Sequence, residues 1–318
     1  MHVPEATETE AESEQDDRQT AEESSNGHPV LDRDLSDGAV FEGTIATDTL
    51  DLRLRHIESI SEARLRVTEG GLGISAVDSA NVSMIQLVIP AALFERYEVE
   101  QKGQVGLSVG RSRDWLKSID TDQTHIRITA DSEVRFADTA ERVHAGGGLI
   151  EPDSVRREPD VPNLELTSVV EIDDIQHVRS FLKKVDKGSH LKFRVSESGL
   201  SITQEKETHD KSLLLAAGDQ YEPGEGDATV LKTTDDGNLG ATGGPSNVTE
   251  FHAGEETDET FYSADYLDDF FRSLLKRHAK GVSYMLRFST EFPMFMRREP
   301  EVAGELCRIL LAPRIKST

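Results

Sequence analysis

The sequence predicts an α+β protein of two similar halves, each with helices on one face of an antiparallel sheet. Leu65 to Ile74 and Leu191 to Ile202 share a strand, a glycine turn and a second strand around the pattern Glu-x-Gly-Leu-x-Ile, which is typical of a β-hairpin. Each half also orders its elements alike, as strand, helix, several strands, helix and several strands. Helices and antiparallel strands in separate runs indicate an α+β fold.

Composition divides the chain into four parts. Residues 1–38 contain 12 Asp or Glu against two Arg and lack apolar periodicity, so disorder is expected there. Residues 39–148 form the first predicted domain, and the proline-containing segment 149–166 forms a connector. Residues 167–318 form the second domain, in which the polar stretch 222–247 is predicted to be a long surface loop or an insertion.

Positive charge is concentrated on four predicted helices of an acidic chain. The net charge is −25, yet 13 of the 35 Lys and Arg residues fall in four windows that contain only two acids. In the third window, apolar residues from Ile175 to Val185 recur at helical spacing opposite Lys183 and Lys187. Four basic faces in so acidic a chain indicate a shared surface for a polyanion such as duplex DNA. The residues predicted to face the DNA are Arg53, Arg55, Arg111, Arg113, Lys117, Arg179, Lys183, Lys184, Lys187, Arg272, Lys276, Arg277 and Lys280.

Several function classes are excluded by composition and motifs. The single cysteine, Cys307, excludes an intramolecular disulfide framework and a cysteine-based zinc site, and it fits a reducing cytoplasm. No apolar run approaches the roughly 18 residues that cross a bilayer, so no membrane partner is expected. Acids spread along the chain suit a high-salt cytoplasm, so a halophilic source is expected. No nucleophile stands beside a plausible base and Gly146–Gly148 lacks the following Lys of a phosphate loop, so we predict no enzyme activity, no metal and no cofactor.

Three motifs occur in order along the chain: Ser75–Leu87, Leu149–Pro162 and Leu310–Ile315. They resemble, respectively, a first-domain segment, the interdomain connector and the near-terminal tail of the sliding clamps of the proliferating cell nuclear antigen (PCNA) type, archaeal ones in particular. The resemblance extends from about Val40 to the C-terminus.

This resemblance implies a non-enzymatic homotrimeric ring that encircles duplex DNA as a processivity factor in replication and repair. Its expected partners are a clamp loader and the DNA polymerase, ligase and nuclease that dock through short peptides. The strands Glu133–Ala137 and Ser212–Ala216 are expected to pair between subunits, as unpaired sheet edges do. The residues that the resemblance carries over to the partner-peptide pocket are Val77, Asn81, Val82, Val155, Pro293, Leu310, Leu311, Ala312 and Pro313.

Four departures from the family pattern keep two alternatives open. They are the acidic extension, the long 222–247 stretch, the segment Arg297–Gly304 and a first helix without a strong lysine pair, so the chain is either the main replicative clamp or a divergent paralogue. The second functional hypothesis is a clamp-fold scaffold that binds partner proteins without encircling DNA. The oligomeric state in solution distinguishes the two hypotheses.

Overall fold

The chain repeats one arrangement of strands and helices twice. The structure is a computed structural model that describes residues 28–159, 166, 168–172, 175–196, 199–206, 210–216, 230–233, 239–242, 248–252, 259–273, 283–298 and 300–314. The elements of the first half are β1 Val40–Ala46, α1 Thr47–His56, β2 Glu62–Thr68, β3 Gly71–Val77, β4 Ser83–Pro90, β5 Phe94–Gln101, β6 Gly103–Ser108, α2 Val109–Ile119, β7 Gln123–Ile128, β8 Glu133–Asp138 and β9 His144–Gly148.

The second half follows the same order, with one extra hairpin between β13 and β16. Its elements are β10 Ser168–Ile172, α3 Gln176–Leu182, β11 His190–Ser196, β12 Gly199–Gln204, β13 Lys211–Ala216, β14 Val230–Thr233, β15 Leu239–Thr242, β16 Val248–His252, β17 Glu259–Ser263, α4 Ala264–Ser273, β18 Tyr284–Phe288, β19 Met294–Arg298 and β20 Leu306–Leu311. Short 3-10 turns span Pro29–Leu31, Ala91–Leu93 and Pro152–Ser154.

The two predicted hairpins are present and match each other. Thr68 pairs with Gly71 in the first hairpin and Ser196 pairs with Gly199 in the second, so each loop has two residues. Gly71 and Gly199 have φ values of 146° and 128°, a region that a side chain disfavours. The backbone conformation at this position therefore favours glycine in both repeats. The internal duplication predicted from these motifs is confirmed.

The antiparallel sheets join the two halves into one body. A five-stranded sheet has the order β5-β1-β7-β8-β9, and a four-stranded sheet has the order β13-β12-β11-β17. A nine-stranded sheet, β16-β10-β18-β19-β20-β4-β3-β2-β6, combines the equivalents of both. Its two parts meet where β20 pairs with β4, from Leu306 opposite Val88 to Leu311 opposite Ser83.

The four helices form one row on the core side of these sheets. α1 packs against both α2 and α4, and α4 also packs against α3, which gives the order α2-α1-α4-α3. A single hydrophobic core runs through both halves beneath the row. The apolar face predicted for the third helix is confirmed, because Ile175, Val178 and Phe181 are at most 2% exposed. None of the described helices has the length and apolar character that a membrane span requires.

Two boundary predictions need correction. Disorder was expected over residues 1–38, but residues 28–38 pack on the protein surface with Val30 and Leu31 buried; residues 1–27 lie outside the described residues. The stretch 222–247 was expected to be a long surface loop or an insertion; it contains the paired strands β14 and β15, which the first half lacks, so it is not a loop throughout. The rest of that stretch lies outside the described residues.

Candidate DNA-facing surface and partner pocket

Five of the predicted DNA-facing cations have exposed side chains on or beside the helix row. Arg111 and Lys117 lie on α2. α3 ends at Leu182, so Lys183, Lys184 and Lys187 lie in the turn that follows it rather than on the helix. An exposed lysine after a helix C-terminus also lies near the negative end of the helix dipole.

Two other predicted DNA contacts are wrong, because their guanidinium groups are buried in ion pairs. Arg53 is 4% exposed, and its Nη2 lies 2.8 Å from Oε1 of Glu305. Arg113 is also 4% exposed; its Nε lies 3.2 Å from Oδ1 of Asp51, and Glu58 is its second partner. Neither side chain reaches the surface, so neither contacts a phosphate.

The remaining cations of the four windows are partly compensated or lie outside the described residues. Arg55 donates from Nε to Oδ2 of Asp51 at 2.6 Å, and about a third of its side chain is exposed. Arg179 is half-buried on α3. α4 is described to Ser273, and the positions that lie outside the described residues are Lys276, Arg277, Lys280 and the side chain of Arg272.

A small apolar cluster lies on the face of the nine-stranded sheet that points away from the helices. Val77 and Leu310 each lie opposite Met84 on a neighbouring strand, and Phe295 lies opposite Leu310. Val77, Met84 and Leu310 pack together, with Phe295 against them. The structure therefore brings together two of the predicted pocket residues. Met84 and Phe295 were missed, because they lie on neighbouring strands and alternation within one strand does not give the cross-strand register that brings them to Val77 and Leu310.

The turn between β3 and β4 is organised by one carboxylate. Oδ1 of Asp78 accepts the backbone N–H groups of Val82 and Ser83, both at 2.6 Å, and Oδ2 accepts that of Ala80 at 2.8 Å. The hydroxyl of Tyr266 on α4 donates to Oδ2 at 2.7 Å. Asp78 thus links the turn of the first half to a helix of the second.

These hydrogen bonds shift the pKa values of both groups. Burial alone would raise the pKa of Asp78, but the N–H of Ser83, the Tyr266 hydroxyl and the other N–H donors together hold it below its ordinary value. Burial, and then the hydrogen bond to Asp78, raise the pKa of Tyr266 to about 12. The pair is therefore a carboxylate and a neutral phenol at neutral pH.

The same turn is attached to the tail and to the connector. The backbone N–H of Ala312 donates to the carbonyl of Val82 at 2.8 Å. Nη1 of Arg156 in the connector donates to Oδ1 of Asn81 at 2.9 Å, and Asn81 has a left-handed φ of 57°. Pro293 immediately precedes β19, and Pro313 follows Ala312. The connector, the turn and the tail thus lie together beside the apolar cluster.

Two predicted pocket residues are not part of this site. Leu311 is fully buried and belongs to the main core, because it follows Leu310 on a strand and points to the opposite face. Val155 is 3% exposed and lies over β6, where a Cβ on Gly106 would be 2.7 Å from its Cγ2. β6 is one edge of the nine-stranded sheet, four strands from the central strand β20, so the side chain of Val155 lies away from the apolar cluster even though its neighbour Arg156 contacts the turn. Neither Leu311 nor Val155 is therefore part of the apolar cluster, which corrects the prediction for these two side chains.

The comparison with known proteins agrees with these features. No protein-family model matches the chain. The DNA polymerase sliding clamp of Natronomonas pharaonis is 28% identical over 282 residues, which cover 87% of this chain and 100% of that protein. The chain is a homologue of the archaeal sliding clamps.

Solved structures show the same fold for this clamp homologue. The structure of Archaeoglobus fulgidus PCNA with the C-terminal region of FEN-1 has a TM-score of 0.69 at 23% identity, covering 87% of this chain and 100% of that one. PCNA from Thermococcus kodakaraensis has a TM-score of 0.67 at 19% identity, with 86% and 100% covered. At these identities the likeness establishes the clamp fold.

One of the two sheet edges that were expected to pair between copies differs from the prediction. Glu133–Ala137 was predicted as an edge, but β8 is paired on both sides, to β7 and β9, so β9 is the edge of the five-stranded sheet. Ser212–Ala216 lies in β13, which ends the four-stranded sheet as predicted. Leu214 on β13 and Val143 just before β9 are exposed apolar side chains, at 41% and 47%.

Proposed function

We propose that the chain is a DNA sliding clamp that closes into a ring of three copies, encircles duplex DNA, and tethers polymerase and other replication and repair proteins. It acts as a processivity factor in the cytoplasm and has no catalytic activity of its own. The homology to proteins named DNA polymerase sliding clamp supports this function.

The observation that carries the proposal is the junction between β20 and β4 inside the chain. In the repeat, β9 is the equivalent of β20, and β13 is the equivalent of β4. Pairing of β9 on one copy with β13 on the next would build the same nine-stranded arrangement between copies. Such a head-to-tail contact uses two different edges of each copy and closes into a ring when the rotations match.

The helix row supplies a suitable lining for the channel. Arg111, Lys117, Lys183, Lys184 and Lys187 are exposed, and none forms an ion pair with another described residue. Contacts between such side chains and phosphates depend on salt and not on base sequence, which permits sliding. A closed ring retains DNA topologically, so these few weak contacts are sufficient.

The apolar cluster supplies a suitable pocket for partner peptides. Val77, Met84, Leu310 and Phe295 lie beside the turn and tail that carry Val82 and Ala312. Apolar side chains beside polar backbone groups of a turn and a tail can accept a short helical segment with aliphatic and aromatic anchors. The FEN-1 segment in the Archaeoglobus fulgidus PCNA structure agrees with docking of this type.

A second candidate function is favoured by the position of the extra hairpin. β15 lies beside β13 in the same chain, although the two strands are not hydrogen-bonded to each other. β13 is the edge that ring closure requires. A hairpin that keeps this position would leave a clamp-fold scaffold that binds partner proteins without encircling DNA.

Extension of a primed circular template by an archaeal polymerase and clamp loader tests the clamp proposal. The chain is expected to lengthen the products, and the double variant Lys183→Glu/Lys184→Glu is expected to abolish the increase. Arg127→Glu/Arg135→Glu is the matched control, because it makes the same charge change at exposed positions of the outer sheet. A scaffold would give no increase, and equal stimulation by both variants would exclude the helix row as the DNA-facing surface.

A further inference from the structure

The segment just before the first predicted domain packs on the outer face of the nine-stranded sheet, the face that points away from the helices. Residues 28–38, the arm, place Val30 and Leu31 against Val88 and Leu306, and these four side chains form an apolar cluster of their own. Val88 and Leu306 are cross-strand partners on β4 and β20. The arm precedes Val40, where the resemblance to the clamp family begins.

Two glycines of the sheet make room for the backbone of the arm. A Cβ on Gly73 would lie 2.4 Å from the carbonyl oxygen of Val30, and one on Gly103 would lie 1.7 Å from that of Gly38. The arm also pairs with β6, because Gly38 N–H donates to the Gln104 carbonyl and Gln104 N–H to the Ser36 carbonyl, both at 2.9 Å. The docking site is thus complementary to the arm in shape and in hydrogen bonding.

The arm also contacts the connector. Nη2 of Arg33 donates to the carbonyl of Pro159 at 2.9 Å. From the sheet, Arg66 forms an ion pair with Glu158 at 2.7 Å, and Arg64 donates to the carbonyl of Val155 at 3.0 Å. Residues 155–159 are therefore held by the sheet and by the arm together.

The docking site and the peptide pocket are neighbours on the same two strands. Val88 and Leu306 lie four residues from Met84 and Leu310, a separation of about 13 Å along a strand. The hydrogen bond from Arg308 Nε to Gln86 Oε1, at 2.7 Å, lies between them. The arm contacts Pro159 of the connector, and Arg156 of the same connector segment contacts Asn81 in the turn beside the apolar cluster.

We propose that the outer face carries a second binding site, a glycine-lined apolar groove over β3, β4 and β20, whose ligand is the chain's own Pro29-Val30-Leu31 segment. Occupation of this groove holds the connector in the position that partner peptides require. The effect on partner peptides rests on the proposed clamp function, whereas the docking of the arm does not.

Hydrogen exchange of the full chain tests the docking. Gly73→Ala and Gly103→Ala are expected to displace the arm, with faster exchange at the amide of Gly38 and tryptic cleavage after Arg33. Gly110→Ala is the control, because nothing lies within 4 Å of a Cβ at that position. Val30→Asp/Leu31→Asp removes the apolar anchors without altering the sheet, which keeps the test valid if a glycine variant fails to fold. Unchanged exchange at Gly38 in the anchor variant would overturn the docking site.

The effect of the arm on the connector is measured by hydrogen exchange and peptide binding in the same samples. We expect faster exchange at the amides of Glu158 and Val155 in the anchor variant, and a Kd about three- to tenfold higher for a labelled C-terminal FEN-1 peptide, since a loose connector must be ordered on binding. If the arm is displaced but exchange in the connector is unchanged, the arm does not hold the connector. If exchange in the connector rises but the Kd is unchanged, the position of the connector does not affect peptide binding. Either result would overturn the proposed effect of the arm on the connector. If the unmodified chain does not bind the peptide but connector exchange still depends on the arm, the clamp function fails and the docking site stands.

Discussion

Arg53 lies on a helix that the sequence marks as basic surface, yet its charge is used inside the protein. Its guanidinium contacts Glu305 and Glu301 from the second half, and Arg298 is a further partner of Glu301. Glu305 is 5% exposed. Loss of Arg53 would leave that carboxylate buried without its partner, which is strongly unfavourable.

Arg53→Met is therefore expected to lower the free energy of unfolding by about 3–5 kcal/mol. Lys183→Met, at an exposed position, is expected to change it by less than about 0.5 kcal/mol. Urea denaturation followed by the fluorescence of Trp115, the single tryptophan, measures both. Equal stability of the two variants would contradict the buried ion cluster.

His56 makes the stability of the same cluster dependent on pH. Its Nδ1 donates to the carbonyl of Leu52 at 2.7 Å, while Nε2 is buried without a hydrogen-bond partner among the described residues. Burial, and next the charge of Arg298, lower the pKa of His56 from 6.5 to about 3. Below pH 6.5 the unfolded chain binds a proton at this residue that the native protein does not.

As the pH is lowered from 6.5 to 4.5, His56 is expected to decrease the free energy of unfolding, with a slope that approaches about 1.4 kcal/mol per pH unit. Carboxylates with lowered pKa values, such as Asp78 and Glu158, lose their contribution at lower pH, so this window isolates the histidine. His56→Gln is expected to flatten the slope. Urea midpoints at four pH values measure it, and the same slope in the variant would refute the buried neutral imidazole.

Successive side chains of strand β20 point to opposite faces of the sheet, one toward the proposed peptide pocket and the next into the main core. Leu310 points to the outer face with Val77 and Met84, whereas Leu311 points into the main core. Both side chains are buried, but they belong to different clusters on opposite faces of the sheet, so the peptide affinity of the two variants distinguishes the faces.

Leu311→Ala is expected to lower the free energy of unfolding by about 2–5 kcal/mol because it leaves a cavity in the core. Leu310→Ala is expected to weaken binding of the C-terminal FEN-1 peptide about tenfold, the loss of one apolar anchor contact of about 1.4 kcal/mol. Fluorescence anisotropy gives the Kd and urea denaturation gives the stability. Peptide affinity that is reduced in the Leu311 variant but not in the Leu310 variant would reverse the assignment of the two faces.

Elements with local patterns could be predicted, and contacts between distant segments could not. The hairpins at Gly71 and Gly199 and the apolar face of α3 follow from turn chemistry and periodicity. The partners of Arg53 lie 248 and 252 residues away, so its helix alone does not distinguish a buried arginine from a surface one. β9, with the sequence His-Ala-Gly-Gly-Gly, lacks the apolar alternation that predicts a strand, so the sequence pattern does not indicate the true edge of the five-stranded sheet.

At the scale of the whole molecule, the chain already contains one example of the strand pairing that would join its copies in a ring; this pairing is called the joint. The β20–β4 pairing fuses the halves into a nine-stranded sheet, and no other described strand of the same copy pairs with the outer edges of β9 and β13. An unpaired edge with an exposed apolar side chain favours association with another chain. The net charge of −25 opposes association at low salt, and screening at high salt reduces that repulsion.

Light scattering between about 0.2 M and 3 M KCl is expected to give a mass near 105 kDa, three times the 35.1 kDa of one chain, with dissociation first at the low-salt end. Leu214→Glu is expected to give the single-chain mass throughout, because the new carboxylate on β13 would lose its hydration at the joint. Phe292→Glu is the control: Phe292 is similarly exposed, at 44%, but lies in the turn between β18 and β19 and not at a sheet edge. A trimer in all three proteins would show that β13 does not lie at the contact between copies. A monomer of the unmodified chain at every salt concentration would favour the scaffold, with β15 remaining beside the edge.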